Sequence, residues 1–175
     1  MTEKECYEIR MQLDSYEDLF SDFDPRPYHE RALSDDFLQE AKKASSDRGE
    51  EMDIVFFLNK EKRNTKDELT IKKRLLSHFK RHYLLLHQEQ QKSVKTGIIF
   101  IIIGIVLMFI ATLFLFKYEY NLLASMVIII LEPASWFLFW EGSSLVIFTS
   151  KKKQPEFVFY EKMSHAHIFF KSKVA

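Results

Sequence analysis

Only one cysteine, Cys6, occurs among the 175 residues. That excludes an internal disulfide framework and any metal centre built from several thiolates. Four glycines leave nothing with which to build a phosphate-cradling loop, and no P-loop, GxGxxG, nucleophile elbow or CxxC pair is present. Four glycines and four prolines also exclude a collagen-like or Pro/Gly-rich disordered chain. A surplus of either charge is missing too, since 25 basic residues cancel 25 acidic ones. With a mean hydropathy of −0.17, these averages describe a neutral globular protein of one domain.

The averages hide a strong layout. Residues 1–53 carry a balance of −9, residues 54–95 +7, residues 96–150 −2 and residues 151–175 +4. An acidic head, a basic stem, a nearly uncharged block and a basic tail follow one another. Such segregation points to opposed surfaces or to a membrane.

The uncharged block supplies the membrane reading. Residues 96–116 run 21 positions without a charge, about the 20 needed to cross a hydrocarbon core. Gly97, Gly104 and Ala111 recur at a spacing of seven, so small residues share one face where a neighbouring helix can approach closely. A four-residue loop, 117–120, precedes a second apolar stretch at 121–140 that contains Glu132-Pro133. Trp136 and Trp140 fit an interfacial belt at its exit, and 141–150 extends beyond it as an interfacial or cytoplasmic helix. Lys92 and Lys95 stand before the first span, and Lys151, Lys152 and Lys153 follow the second, where they would meet lipid headgroups. The far loop has Lys117 alone. The positive-inside rule then places both termini in the cytoplasm and the chain in the inner membrane as a multi-pass protein. Met1 to Arg10 shows no signal-peptide pattern.

The polar segments are read from local pattern. Residues 1–50 form an acidic region that is partly helical or disordered. It has Tyr7, Met11, Leu13, Tyr16, Leu19 and Phe20 as apolar positions of a weak helix, and Ser34 as the cap of a short one running to about Ala44. Residues 51–95 comprise a buried strand at 53–58 and an amphipathic stem. Thr65 and Glu68 read as a capping box, and Ile71, Leu75, Leu76, Phe79, Tyr83 and Leu86 form one stripe. With no Gly or Pro before Gly97, the stem continues into the first span. In the tail, 141–175, the apolar runs at 157–160 and 168–170 need partners, and a strand at 165–171 pairs most economically with the one at 53–58. The expected architecture is therefore a two-helix transmembrane hairpin with a long stem helix and a small α+β cytoplasmic unit built from both tails.

This layout resembles an uncharacterised family of small bacterial two-span inner-membrane proteins. The resemblance rests on Asp24-Pro25-x-Pro27, Glu30-Arg31-x-Leu33-Ser34-x-Asp36, His78-Phe79 and Glu132-Pro133-x-x-Trp136-Phe137-x-x-Trp140-Glu141. It spans residues 20–170 and implies the two-span topology, but no activity.

Glu132 is the candidate functional residue. A carboxyl inside a membrane is costly and marks a proton or cation path by default. Its bland alternative is a protonated or snorkelling acid satisfied by backbone groups that Pro133 frees. In a hairpin turning near 118–119 it lies level with Ile105. His78 and His82, at i and i+4, could hold a metal, but no third ligand is fixed by spacing and a basic helical face accounts for them. His165 and His167 read as a solvated strand face. The basic stem suits an anionic leaflet, and no nucleic-acid module accompanies it. No cofactor is expected, and no catalytic constellation is visible. Two functions follow: a membrane anchor and interaction protein, self-associating or part of a membrane complex, or a small oligomeric pore with Glu132 lining the path.

Overall fold

The structure, a computed structural model, describes residues 7–45, 52–117 and 122–173. Seven elements follow in order: β1 Tyr7–Gln12, α1 Asp35–Ser45, β2 Met52–Leu58, α2 Thr65–Lys117, α3 Leu122–Ser144, α4 Ser150–His165 and β3 His167–Ser172. Short 3-10 turns occupy Tyr16–Leu19 and Lys60–Lys62, and a π turn, Leu145–Thr149, joins α3 to α4. The chain is thus mostly helical, with a small sheet. It divides into two compact units, one from Met1–Leu85 with Pro155–Ala175, the other from Leu86–Gln154.

In the first unit the sheet order is β1-β2-β3 and every pairing is parallel. Parallel neighbours cannot be joined by a tight turn and need a crossover. The first crossover contains α1. The second contains α2, α3 and α4, so the strands at the two ends of the chain flank β2. Register places Ile9 beside Ile54 and Ile54 beside Ile168, then Met11 beside Phe56 and Phe56 beside Phe170. Because side chains alternate along a strand, these two rows face one side. They join Phe37 and Ala41 of α1, Ile71, Leu75 and Phe79 of α2, and Phe159 and Met163 of α4 in one buried core.

Two expectations change here. Residues 7–12 are a strand, not a weak helix or a disordered run. Tyr7, Ile9, Met11 and Leu13 alternate with polar residues, and β2 offers a free edge for them to pair with. The start of α2 is capped by Asn64, whose Oδ1 accepts from the Lys66 N–H at 3.0 Å, not by Thr65. Glu68 turns inward to Arg63 instead of reaching back to the cap. The helix expected to continue past Trp140 does so, since α3 runs to Ser144 and helical turns continue to His165. The expected tail strand is also present as β3 beside β2, although it begins at His167 and His165 closes α4.

The second unit holds two apolar stretches, one in the C-terminal part of α2 and one over Leu122–Phe148, both long and apolar enough to cross a membrane. Apart from Lys117, the turn expected at 117–120 lies outside the described residues.

Candidate functional site

Close packing of α2 on α3 fixes which face of each helix is left free. A Cβ built on Gly97 would lie 2.7 Å from the Gly142 carbonyl oxygen, and one on Gly142 would lie 2.6 Å from that of Gly97. A Cβ on Gly104 would come within 2.9 Å of the Ser135 carbonyl oxygen. Such approaches are open to glycine alone. Ala111 and Ala124 continue the buried seam, and Ser135 is fully buried in it, its hydroxyl donating back to the Leu131 carbonyl at 2.6 Å. The spaced small residues of α2 therefore serve the hairpin's own contact. Gly142 and Ser135, their counterparts on α3, were legible from the same seven-residue spacing.

The antiparallel pairing of Gly97 with Gly142 and of Gly104 with Ser135 sets Glu132 level with Leu107, one helical half-turn from the Ile105 expected. Ser135 and Glu132 are three residues apart, about 60° around the helix at 100° per residue, so Glu132 sits at the flank of the seam. Ser135 faces the seam and Glu132 is exposed, as is Pro133. Among the described residues nothing hydrogen-bonds to or pairs with the Glu132 carboxyl. Pro133 brings no N–H for the Ile129 carbonyl one turn back, yet Glu132 does not bond to that carbonyl either. Around it stand Ile129 and Trp136, both exposed. The site is a lone carboxyl on a free, apolar, aromatic-rich helix face.

The other candidate residues lie apart from it. Lys92 and Lys95 are exposed on α2, while the side chains of Lys151, Lys152 and Lys153 fall outside the described set. In the first unit the His78 and His82 rings are 4.3 Å apart, and His82 stacks on Tyr160 at 5.1 Å. Burial, reinforced by His82, Arg74 and Arg81, pulls His78 down to about 4. Its Nε2 is buried without a hydrogen-bond partner, and among the described residues no third His, Cys, Asp or Glu joins the pair. The rings act as packing surfaces between α2 and α4. His167 lies 3.4 Å from Asp53 across β2 and β3, and His165 is exposed. A shallow cavity of about 190 Å³ between α1 and α4 is lined by Asp35, Leu38, Gln39, Lys42, Phe159 and Tyr160.

One polar cluster escaped the sequence reading. Arg63 donates to both Glu68 carboxylate oxygens, at 2.8 and 3.1 Å, and to the Ser172 hydroxyl at 3.1 Å. The Tyr16 hydroxyl donates to Glu68 at 3.1 Å and accepts the Asn64 N–H at 2.9 Å. Burial pushes the Glu68 carboxyl up, but the hydrogen bonds from Arg63 and Tyr16 outweigh it and leave it below the usual range. Its hydrogen-bonded pairs sit 5 to 109 residues apart in sequence, so no local spacing could reveal it. It ties the head, the stem and β3 together and is structural.

No family model, curated protein or solved structure matches this chain.

Proposed function

We propose that the chain is an integral protein of the cytoplasmic membrane. In this reading the α2–α3 hairpin anchors the sheet-containing unit, which lies with both termini in the cytoplasm and acts as an interaction module, self-associating or built into a membrane complex. The observation that carries the reading is where the apolar surface lies. Only 11% of each apolar stretch is buried, whereas the core helix of a water-soluble protein buries most of such a run. Ile98, Ile102, Phe109, Leu113, Ile130 and Phe137 are exposed, an apolar area far beyond what a soluble monomer presents to water. Lys92 and Lys95, with Lys151 to Lys153, supply positive charge for anionic headgroups at the cytoplasmic end. The absence from the sequence of any recognised catalytic motif favours an interaction role over an enzymatic one.

Alkaline carbonate extraction and cysteine accessibility test this. The protein should stay in the pellet, and single cysteines at Glu17 and Lys173, in a Cys6→Ser background, should react with an impermeant maleimide only after lysis. Release by carbonate, or labelling of either position on intact cells, overturns the reading.

A second reading, a small oligomeric pore, is favoured by one feature, the unpaired and outward-facing Glu132. It requires Glu132→Gln to change cation flux in proteoliposomes without changing insertion.

A further inference from the structure

The head of the first unit holds one aromatic ring out in water. Phe23 is 98% exposed, at the tip of a turn whose ends are tied. The Ser21 N–H donates to the Ala32 carbonyl at 2.9 Å, and the Asp24 N–H to the Ser21 carbonyl at 3.3 Å. Arg31 donates to that same Ser21 carbonyl through Nε and Nη2, at 3.2 and 3.1 Å. The Asp24 carboxylate accepts from the Ala32 N–H at 2.7 Å and from Nε and Nη2 of Arg26. So braced, the turn cannot fold its ring back onto the core. A rigid, exposed aromatic has the form of a binding anchor, because little conformational freedom is left to lose on docking.

The surroundings of Phe23 are acidic. Residues 14–24 include Asp14, Glu17, Asp18, Asp22 and Asp24 and no Lys or Arg. Glu17 is paired with Arg31 and Asp24 with Arg26. Asp22, exposed beside the ring, has no cation on it among the described residues. The opposite chemistry lies on α2. Lys66, Leu69, Lys73 and Lys80 are all exposed and fall within about 60° of one another at 100° per residue. They lie on the side of the helix away from buried Ile71, Leu75 and Phe79. No acid shares this strip: the nearest in sequence are Asp67, bonded to Asn64, and Glu68, turned inward to Arg63 and Tyr16. Among the described residues none of the three ammonium groups pairs with a carboxylate.

Within one copy, then, an acidic turn with an exposed ring and a basic strip with an exposed leucine both stay unmatched, and each is the complement of the other. We propose that the Phe23 turn of one copy docks on the Lys66–Leu69–Lys73 strip of a second copy. The Phe23 ring lies on Leu69, and Asp22 is within reach of Lys66 and Lys73, which flank that leucine by three and four residues. The proposal rests on the interaction-module reading above and names the partner within it. An anionic lipid surface would attract the lysines but repel the acidic turn, whereas a contact between copies accounts for both surfaces at once.

The test uses the full-length chain with Cys6→Ser, in membranes. With the photoreactive aromatic p-benzoylphenylalanine in place of Phe23, irradiation should give a two-copy adduct whose crosslinked peptide falls between Thr65 and Lys80. Association followed by energy transfer should weaken about 5- to 30-fold for Phe23→Ala, the loss typical of an anchor residue, and should fall as salt rises. Asp22→Lys and Lys73→Glu should each weaken it, and the double variant, which restores opposite charges, should recover it. Both positions are exposed, so the fold of the first unit is undisturbed. A crosslink to lipid, to a different protein or to another segment of the chain overturns the proposal. So does unchanged association of Phe23→Ala, or no recovery in the double variant. A crosslink to a different protein leaves the interaction reading standing, while a wild type that is monomeric and captures nothing sinks both. Carbonate release removes the membrane anchor alone, since this contact lies within the first unit.

Discussion

Arg63, Glu68 and Tyr16 show how single residues can hold distant segments together. Removing the guanidinium in Arg63→Ala strands a nearly buried carboxylate and frees β3's Ser172. The expected cost is about 3 kcal/mol, as for breaking a buried pair, read as a lower melting midpoint of the first unit with the hairpin helices unaffected. Glu68 is held below its ordinary range, so its stabilising contribution is present above about pH 4.5 and is lost as pH falls through the lowered value. His78 works in a different window. Its folded value of about 4 lies below the ordinary 6.5, so between those limits the unfolded chain binds a proton that the folded one refuses. Stability therefore falls as pH drops from about 6.5 to 4. Replacing His78 with Leu should flatten the melting midpoint across that interval; an unchanged slope would remove His78 as its origin.

At the scale of elements, the helix pair depends on backbone contact. A Cβ at Gly97 or at Gly142 would lie 2.7 or 2.6 Å from the other's carbonyl oxygen, so a side chain at either must push two backbones apart. Gly142→Leu should destabilise the hairpin by about 1–3 kcal/mol, the usual range for overpacking, measured as lost resistance to denaturation in detergent. Gly104→Leu should do the same, since its Cβ meets the Ser135 carbonyl. The seam was half legible: the spacing of small residues on α2 announced a close neighbour, but spacing cannot say whether that neighbour belongs to the same chain. β1 was legible in a different sense. The alternation Tyr7, Ile9, Met11, Leu13 is a strand period, yet the acidic, Ser-rich surroundings favoured helix or disorder until β2 supplied an edge. The cap at Asn64 displaced the Thr65–Glu68 box because Glu68 gains more from the Arg63 fork and the Tyr16 hydroxyl than from one exposed N–H.

For the whole molecule the governing feature is that β2 and β3 are neighbours separated in sequence by the entire hairpin. Closing so long a loop costs entropy that grows only slowly with length, and the Ile54–Ile168 and Phe56–Phe170 rows offset it. Tyr83 and Phe157 rings lie 5.2 Å apart, so the chain leaves the first unit and re-enters it at nearly the same place. A chain joining residues 1–85 to 155–175 through a short Gly/Ser linker is expected to fold alone, giving a cooperative thermal transition and sheet signal in circular dichroism. A chain ending at residue 154 should instead lose β3 and the Phe159 and Met163 packing, and become markedly more sensitive to protease over 7–85. Equal protease resistance with and without residues 155–175 would contradict the role of β3.

Sequence by itself determined the elements that depend on neighbouring residues: the two apolar stretches, the amphipathic stem with its stripe from Ile71 to Phe79, the central strand and the orphaned apolar tail. Each is a matter of period and composition within a dozen or so positions, and the zero net charge dissolved into segments on the same evidence. Apart from the β2–β3 pairing, tertiary structure decided which surfaces meet. It paired residues 7–12 with β2, joined Arg63 to Ser172 across 109 positions, closed Gly97 on Gly142 and turned Glu132 away from that contact. These are relations between residues far apart in the chain. They are fixed by the shared burial of side chains from several elements, and no local period carries that information.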